Sequence, residues 1–160
     1  NESRQLRAKN ISVDLVPVDE QEHVTIFVIS SNGKKIIYAP CDVKPFPSSE
    51  KFLDADVLII GNTIIGDVLK NGFVLDKDNP LKKELFTLDE IEDLRKKYRI
   101  KEVIITHLEE DWGKSYDDYI ELEKELNLMP YGQSAHMSSN NIAHAQRSIH
   151  FAYDGLKIQL

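Results

Sequence analysis

The stretch KEVIITHLEEDWGKSYDDY, residues 101–119, sets His107 and the acids Glu109, Glu110 and Asp111 directly after a run of apolar β-formers and just before a helical pattern. An imidazole beside carboxylates can hold a divalent metal ion or pass a proton. Three other stretches carry comparable groups: His23 at the head of HVTIFVIS, Cys41 and Asp42 after KKIIYAP, and Asn62 and Thr63 after DVLIIG. Each also has an ordinary structural use. A histidine at a strand end can hydrogen-bond an edge, and Asp42 can shape the turn into Val43-Lys44-Pro45. Acids ahead of a helix are favoured by its macrodipole, Asn62-Thr63 after a glycine suit a loop, and Cys41 suits a small buried site. Chemistry requires that the fold bring these residues together.

The elements that must do so are legible. ISVDLVPV (11–18) and HVTIFVIS (23–30) are rich in β-branched residues, and Asn32-Gly33 leads from the second into KKIIYAP (34–40). An Asn-Gly pair between two such runs predicts a tight hairpin, because both residues accept a positive φ. Prolines 40, 45 and 47 end the second arm. DVLII (56–60) predicts a further strand, followed by a long irregular stretch to residue 80. TLDEIEDLRKKY (87–98) has Thr87 and Glu90 in capping-box spacing and Leu88, Ile91, Leu94 and Tyr98 on one helical face. EVIIT (102–106) predicts a strand. SYDDYIELEKEL (115–126) predicts a helix with Tyr119, Leu122 and Leu126 inward. IHFAYD and GLKIQL predict two short strands around Asp154-Gly155, or one strand with a bulge at Gly155.

Strands 34–39, 56–60 and 102–106 are joined by connections long enough to be crossovers, so they are expected to run parallel in one sheet. Their C-terminal ends then share an edge with Cys41 or Asp42, Asn62 and Thr63, and His107. The hairpin reverses direction, so the start of strand 23–30 brings His23 to the same edge. That rim is where open α/β sheets place their sites. Two imidazoles and a carboxylate are ligands that Zn²⁺, Mn²⁺ or Fe²⁺ accept. Trp112 is expected to pack over the end of strand 102–106, and His136, His144 and His150 are read as surface residues.

The 160 residues and 41% hydrophobic content predict one α/β domain, a class some schemes label α+β, spanning 1–160. The formal charge of −7, from 27 acids and 20 bases in alternating patches, offers no basic face and argues against general nucleic-acid binding. Cys41 is the only cysteine, which excludes an intrachain disulfide and fits a reducing cytoplasm. The polar start NESRQLRAKN and the lack of a long apolar run predict a soluble cytoplasmic protein without a membrane span. Residues 134–146 read as an exposed excursion.

The runs NGKKIIYAPCDVKPFP, DADVLIIGN, VIITHLEEDWGKSYDDY and FAYDGLKI together resemble the second half of metallo-β-lactamase-fold hydrolases, in the branch of cyclic-phosphate phosphodiesterase-like and cofactor-synthesis-like enzymes. The resemblance covers nearly the whole chain apart from a loop insertion at about 127–146. It implies an αββα sandwich, here mainly its second β-sheet with flanking helices, and two metal ions at one rim. It also implies that His23 is the lone histidine of the middle motif, Asp42 the aspartate bridging both metals with Cys41 as the alternative, and His107 the last histidine ligand. Zinc leads among the metals, with manganese or iron as alternatives. Asn62, Thr63 and Glu109 are then expected to touch substrate or to hold the ligands in place. The family's His-x-His-x-Asp-His motif does not occur in these 160 residues. His23, Asp42 and His107 alone give each metal about two protein ligands, below the three usual at catalytic zinc.

The resemblance therefore implies a metal-dependent hydrolase, by preference of a phosphodiester through a metal-bound hydroxide, completed by a missing N-terminal half. Its alternative is a non-catalytic shortened relative that covers its open sheet face as a homo-oligomer or with a separate N-terminal chain. A plain α/β binding module is the third reading.

Overall fold

The computed structural model describes residues 5–8, 10–19, 23–41, 43–61, 63–128 and 148–157. The β-rich first quarter forms a meander: β1 (Gln5–Ala8), β2 (Ile11–Pro17), β3 (Thr25–Ser31) and β4 (Lys34–Ala39) each run antiparallel to the next. The turn between β3 and β4 is the expected one, with Asn32 at φ 50° and Gly33 at φ 77°, both left-handed positions that these residues tolerate. β3 begins two residues later than the pattern predicts, which leaves His23 in the corner before it. Strand β1 was not expected. QLRA is too short and polar to show an alternation, and it is held by its register against β2.

After β4 the chain crosses over. A short 3₁₀ turn at Glu50–Phe52 precedes β5 (Val57–Ile60), which pairs parallel to β4 with Ala39 beside Ile60. The stretch expected to be irregular contains β6 (Thr63–Ile64), and between it and the next helix come α1 (Leu81–Glu84) and β7 (Phe86–Thr87); β6 and β7 form a small parallel pair of their own. The helix α2 (Leu88–Lys97) starts with the predicted capping box. The Thr87 hydroxyl accepts from the Glu90 amide, and the Glu90 carboxylate accepts from the Thr87 amide, an arrangement worth about 1 kcal/mol. β8 (Glu102–Ile105) pairs parallel to β5, with Ile105 beside Ile60. A turn at Glu110–Trp112 leads into α3 (Tyr116–Leu128), two residues longer at its end than predicted. β9 (Ile149–Phe151) completes the sheet, parallel to β8. Of the two terminal strands expected around Asp154-Gly155, the first is β9, followed by a turn with Gly155 at φ 91°; the end of the second, residues 158–160, lies outside the described residues.

The sheet order is β1-β2-β3-β4-β5-β8-β9. Because side chains alternate between faces, Ile26, Val28, Ile37, Leu58, Ile60, Val103, Ile105, Ile149 and Phe151 line one face and pack with Ile91, Tyr98, Tyr119 and Leu126 of the helices. Phe46, Phe52 and Tyr98 add an aromatic cluster beside this core, with Phe46 and Phe52 centroids 5.1 Å apart. On the other face, Val13, Ile29 and Ile36 lie side by side in register, as do Leu15, Phe27 and Tyr38. These side chains are half-buried or, for Tyr38, exposed, so the meander half of this face is apolar and open.

The outer backbone of β9 is closed by α3. The Asn127 side chain exchanges two hydrogen bonds with Ile149, and Glu123 accepts from the Phe151 amide. This shields a strand edge that would otherwise invite pairing. His150, expected at the surface, is half-buried on β9, with Nδ1 3.0 Å from the Glu123 carboxylate. His136 and His144 lie outside the described residues. Among the described residues, no helix is long and apolar enough to cross a membrane.

Candidate metal and substrate rim

The three central strands β4, β5 and β8 end at one rim, as parallel pairing requires. Beyond their ends come Cys41, Gly61 and His107. Gly61 donates its amide to Ala39 at 3.3 Å, and Thr106 donates to Ile60 at 2.8 Å, so the chains stay level one step past the sheet. Cys41 and His107 lie on either side of Gly61. A Cβ at Gly61 would fall 3.1 Å from the Cys41 sulfur and 3.5 Å from the His107 Cβ. The missing side chain is what lets the outer two residues meet across the middle strand.

They do meet. Cys41 Sγ lies 2.5 Å from His107 Nδ1, and His107 Nε2 lies 2.9 Å from the Glu109 carboxylate. A carboxylate only accepts, so Nε2 donates in this contact, and in the neutral tautomer that leaves the Nδ1 lone pair facing the thiol. Backbone geometry aims the ring: His107 has φ 53°, left-handed for a residue with a Cβ, a conformation that costs about 1–2 kcal/mol and persists where surrounding structure enforces it. The His107 and Glu109 side chains are half-exposed, 50% and 41%, so the cluster is open to solvent on one side.

Thr63, one of the expected substrate contacts, is buried at 3% exposure, and its hydroxyl has no hydrogen-bond partner among the described residues. Glu109, expected in the same role, stands on the histidine. Asp42 and Asn62 lie outside the described residues. His23 reaches the expected rim, but at its far side. Its amide donates to the Asp19 carboxylate at 3.2 Å, and its imidazole lies 3.8 Å from Asp19. Strand spacing of about 4.8 Å puts three steps, roughly 14 Å, between β3 and β8. Among the described residues, no group of three or more His, Cys, Asp and Glu side chains is close enough to hold a metal ion.

Two features of this rim escaped the sequence reading. Gly61 is the spacer, and its only signal is a glycine closing a central strand between two neighbours that each end in a polar residue. The second is a set of buried polar groups. Trp112 Nε1 and the Tyr119 hydroxyl join Thr63 as buried atoms without partners among the described residues. Burial raises the Tyr119 pKa, with further upward pushes from Asp118 and Glu109, so the phenol keeps its proton and remains a donor. The Trp112 ring itself is buried, as expected.

Comparison with solved structures sets this arrangement in context. The chain is similar to a diphosphatase from the PhnP family, with 18% identity, TM-score 0.54, and coverage of 99% of this chain and 46% of that one. It is similar to Zn²⁺-bound PqqB from Methylobacterium extorquens, with 16% identity, TM-score 0.59, and coverage of 98% and 50%. It is also similar to the metallo-beta-lactamase fold protein YhfI from Bacillus subtilis, with 13% identity, TM-score 0.53, and coverage of 96% and 51%. No family model matches the chain, and no curated protein matches it. The sheet with its flanking helices has the metallo-β-lactamase fold. The chain spans about half the length of the solved structures it matches.

Proposed function

We propose that this chain is the C-terminal half of a metal-dependent hydrolase of the metallo-β-lactamase superfamily, acting on phosphodiesters. The observation that carries the reading is the contact of Cys41, His107 and Glu109 at the rim where β4, β5 and β8 end. The donor set suits the metal. A sulfur and an imidazole nitrogen are zinc ligands, and a carboxylate on the far ring nitrogen fixes the tautomer of a ligating histidine. His107 would offer Nδ1, Cys41 or Asp42 would supply the second donor from β4, and Glu109 would orient the ring. His23, three strand steps away and held by Asp19, would reach the same centre only if its corner moves. The metal, zinc before manganese or iron, would polarise the phosphoryl oxygen and activate water. Thr63 and Asn62 would border the substrate. Cys41 and His107, the two donors that meet among the described residues, do not complete a two-metal centre, so the remaining ligands are assigned to an N-terminal half. The half-length match to the solved structures and the open apolar face of the meander support that assignment.

Zinc titration of the chain tests this directly. The expected result is stoichiometric binding that weakens at least about 100-fold in His107→Ala, beyond the 10–100-fold range for losing an outer partner. A wild-type chain that retains no zinc, or a variant that binds equally well, defeats the reading.

The open apolar face also favours a second reading, in which the chain is not catalytic and self-associates through this face. A sheet face carrying Val13, Leu15, Phe27, Ile29 and Ile36 suits a two-fold interface. Sedimentation equilibrium would show a dimer that Phe27→Glu dissociates.

A further inference from the structure

The rim beside His107 carries an aromatic wall that the metal reading does not use. Tyr116, the first residue of α3, and Tyr153, two residues past β9, pack edge to face with centroids 5.5 Å apart and planes at 82°. Both remain open, at 57% and 44% exposure, which is high for rings already in mutual contact. Their place is fixed by the β8–β9 register. Ile105 pairs with Phe151, and Ala152 donates its amide to Ile105 at 2.8 Å. His107 and Tyr153 therefore each follow the same rung by two residues, on neighbouring parallel chains at one rim of the sheet.

Behind the pair lies Tyr119, one helical turn from Tyr116 and so on the same side of α3. Its ring packs on Phe151 with centroids 5.0 Å apart. Its hydroxyl is buried and has no partner among the described residues, a condition that costs free energy unless a ligand or water fills it. Burial first, then the charges of Asp118 and Glu109, raise the pKa of this phenol, so it keeps its proton and can donate.

We propose that Tyr116 and Tyr153 form the specificity wall of the rim and hold a flat unsaturated ring attached to the phosphoryl group of the ligand, while the Tyr119 hydroxyl donates to an acceptor atom of that ligand. The proposal rests on the phosphoester reading and names the leaving or flanking group it selects. Exposed aromatic faces stack on flat rings regardless of ring substituents. A bare alkyl phosphate would gain nothing from them.

Ligand-observed NMR and titration on the zinc-loaded chain, with phenyl phosphate and methyl phosphate as probes, decide it. The expected result is saturation transfer to the phenyl protons and an affinity for phenyl phosphate about fivefold above that for methyl phosphate. The ratio falls to about one in Tyr153→Leu and in Tyr116→Leu, and survives in Tyr116→Phe, which keeps the ring. Tyr119→Phe weakens both probes by a similar factor and leaves the ratio unchanged. Equal affinity for the two probes, a ratio that persists in both leucine variants, or binding of neither probe overturns the proposal. The zinc titration separates the two readings. Zinc bound at His107 with a ratio of one removes the wall and leaves the hydrolase; a ring preference with no zinc bound does the reverse.

Discussion

The two ends of the parallel strands are built to opposite rules. At the N-terminal end, the acids Asp54 and Asp56 are both paired with bases. Asp56 accepts from the Lys35 amide at 2.8 Å and from the Lys101 ammonium at 2.7 Å, with Lys34 at 3.7 Å. Asp54 takes a two-point grip from Arg99, both contacts at 2.7 Å. At the C-terminal end, Thr63, Trp112 and Tyr119 bury polar atoms without partners among the described residues, and His107 holds a left-handed backbone. The first end is arranged to stay closed. Left-handed backbone occurs at both, with Asp54 at φ 57° and Arg99 at φ 53° on the first end, so what sets the second apart is its unpartnered buried polar groups, which a ligand or water would satisfy.

Removing Asp56 should give the largest loss of stability. In Asp56→Ala the Lys35 amide loses its acceptor and two lysines lose their counter-charge, a destabilisation of about 2 kcal/mol, read from urea unfolding. Zinc affinity should be unchanged, since the rim lies at the other end of the strands. The pH dependence has a definite sign. Hydrogen bonding from Lys101, then from the Lys35 amide, holds the Asp56 pKa below its ordinary value. Its contribution is therefore complete above the unfolded-state value of about 4 and disappears as pH falls through the lower folded value. Unfolding curves between pH 6 and pH 3 should show wild type converging on Asp56→Ala at the acid end. A variant as stable as wild type at neutral pH would erase the contrast between the ends.

Gly61→Ala should sharpen the contrast from the other side. The new methyl would sit 3.1 Å from the Cys41 sulfur, so the thiol must give way and its contact with His107 lengthens. Zinc affinity, read by competition with a chelator, is expected to fall about tenfold, the size seen when support for a ligand is disturbed. Stability should change by less than about 1 kcal/mol, because alanine also narrows the unfolded ensemble. Unaltered zinc binding would mean that Cys41 and His107 need no close approach.

The residues that make the rim were legible, and the way they touch was not. The Asn32-Gly33 hairpin, the capping box at Thr87 and the runs at 56–60 and 102–106 fix the direction of β4, β5 and β8. Direction alone brings Cys41 and His107 to one edge. Their contact depends on a side chain that Gly61 lacks and on a positive φ at His107, neither of which leaves a periodic trace. His23 reached the right edge and faces Asp19, because its strand starts two residues later than its β-branched run suggests. β1, β6 and β7 are too short for alternation to register, and tertiary pairing decides them. Tyr116 and Tyr153 are 37 residues apart in sequence. Only the parallel register of β8 and β9 makes them neighbours.

The smallest effect should come from Tyr119→Phe, and its sign is the informative part. Deleting a well-bonded buried hydroxyl costs stability, whereas deleting one that lacks a partner removes an unmet desolvation cost. With the Tyr119 hydroxyl buried and unpartnered among the described residues, and the ring left in place on Phe151, the ligand-free variant should be more stable by about 1 kcal/mol, a rise of roughly 2–4 °C in Tm for a domain of this size. The gain should shrink when phenyl phosphate is present at saturating concentration, because the ligand supplies the missing partner to the wild type alone. A ligand-free loss of stability would mean that the hydroxyl is already satisfied, and the C-terminal rim would then be as closed as the end built around Asp56.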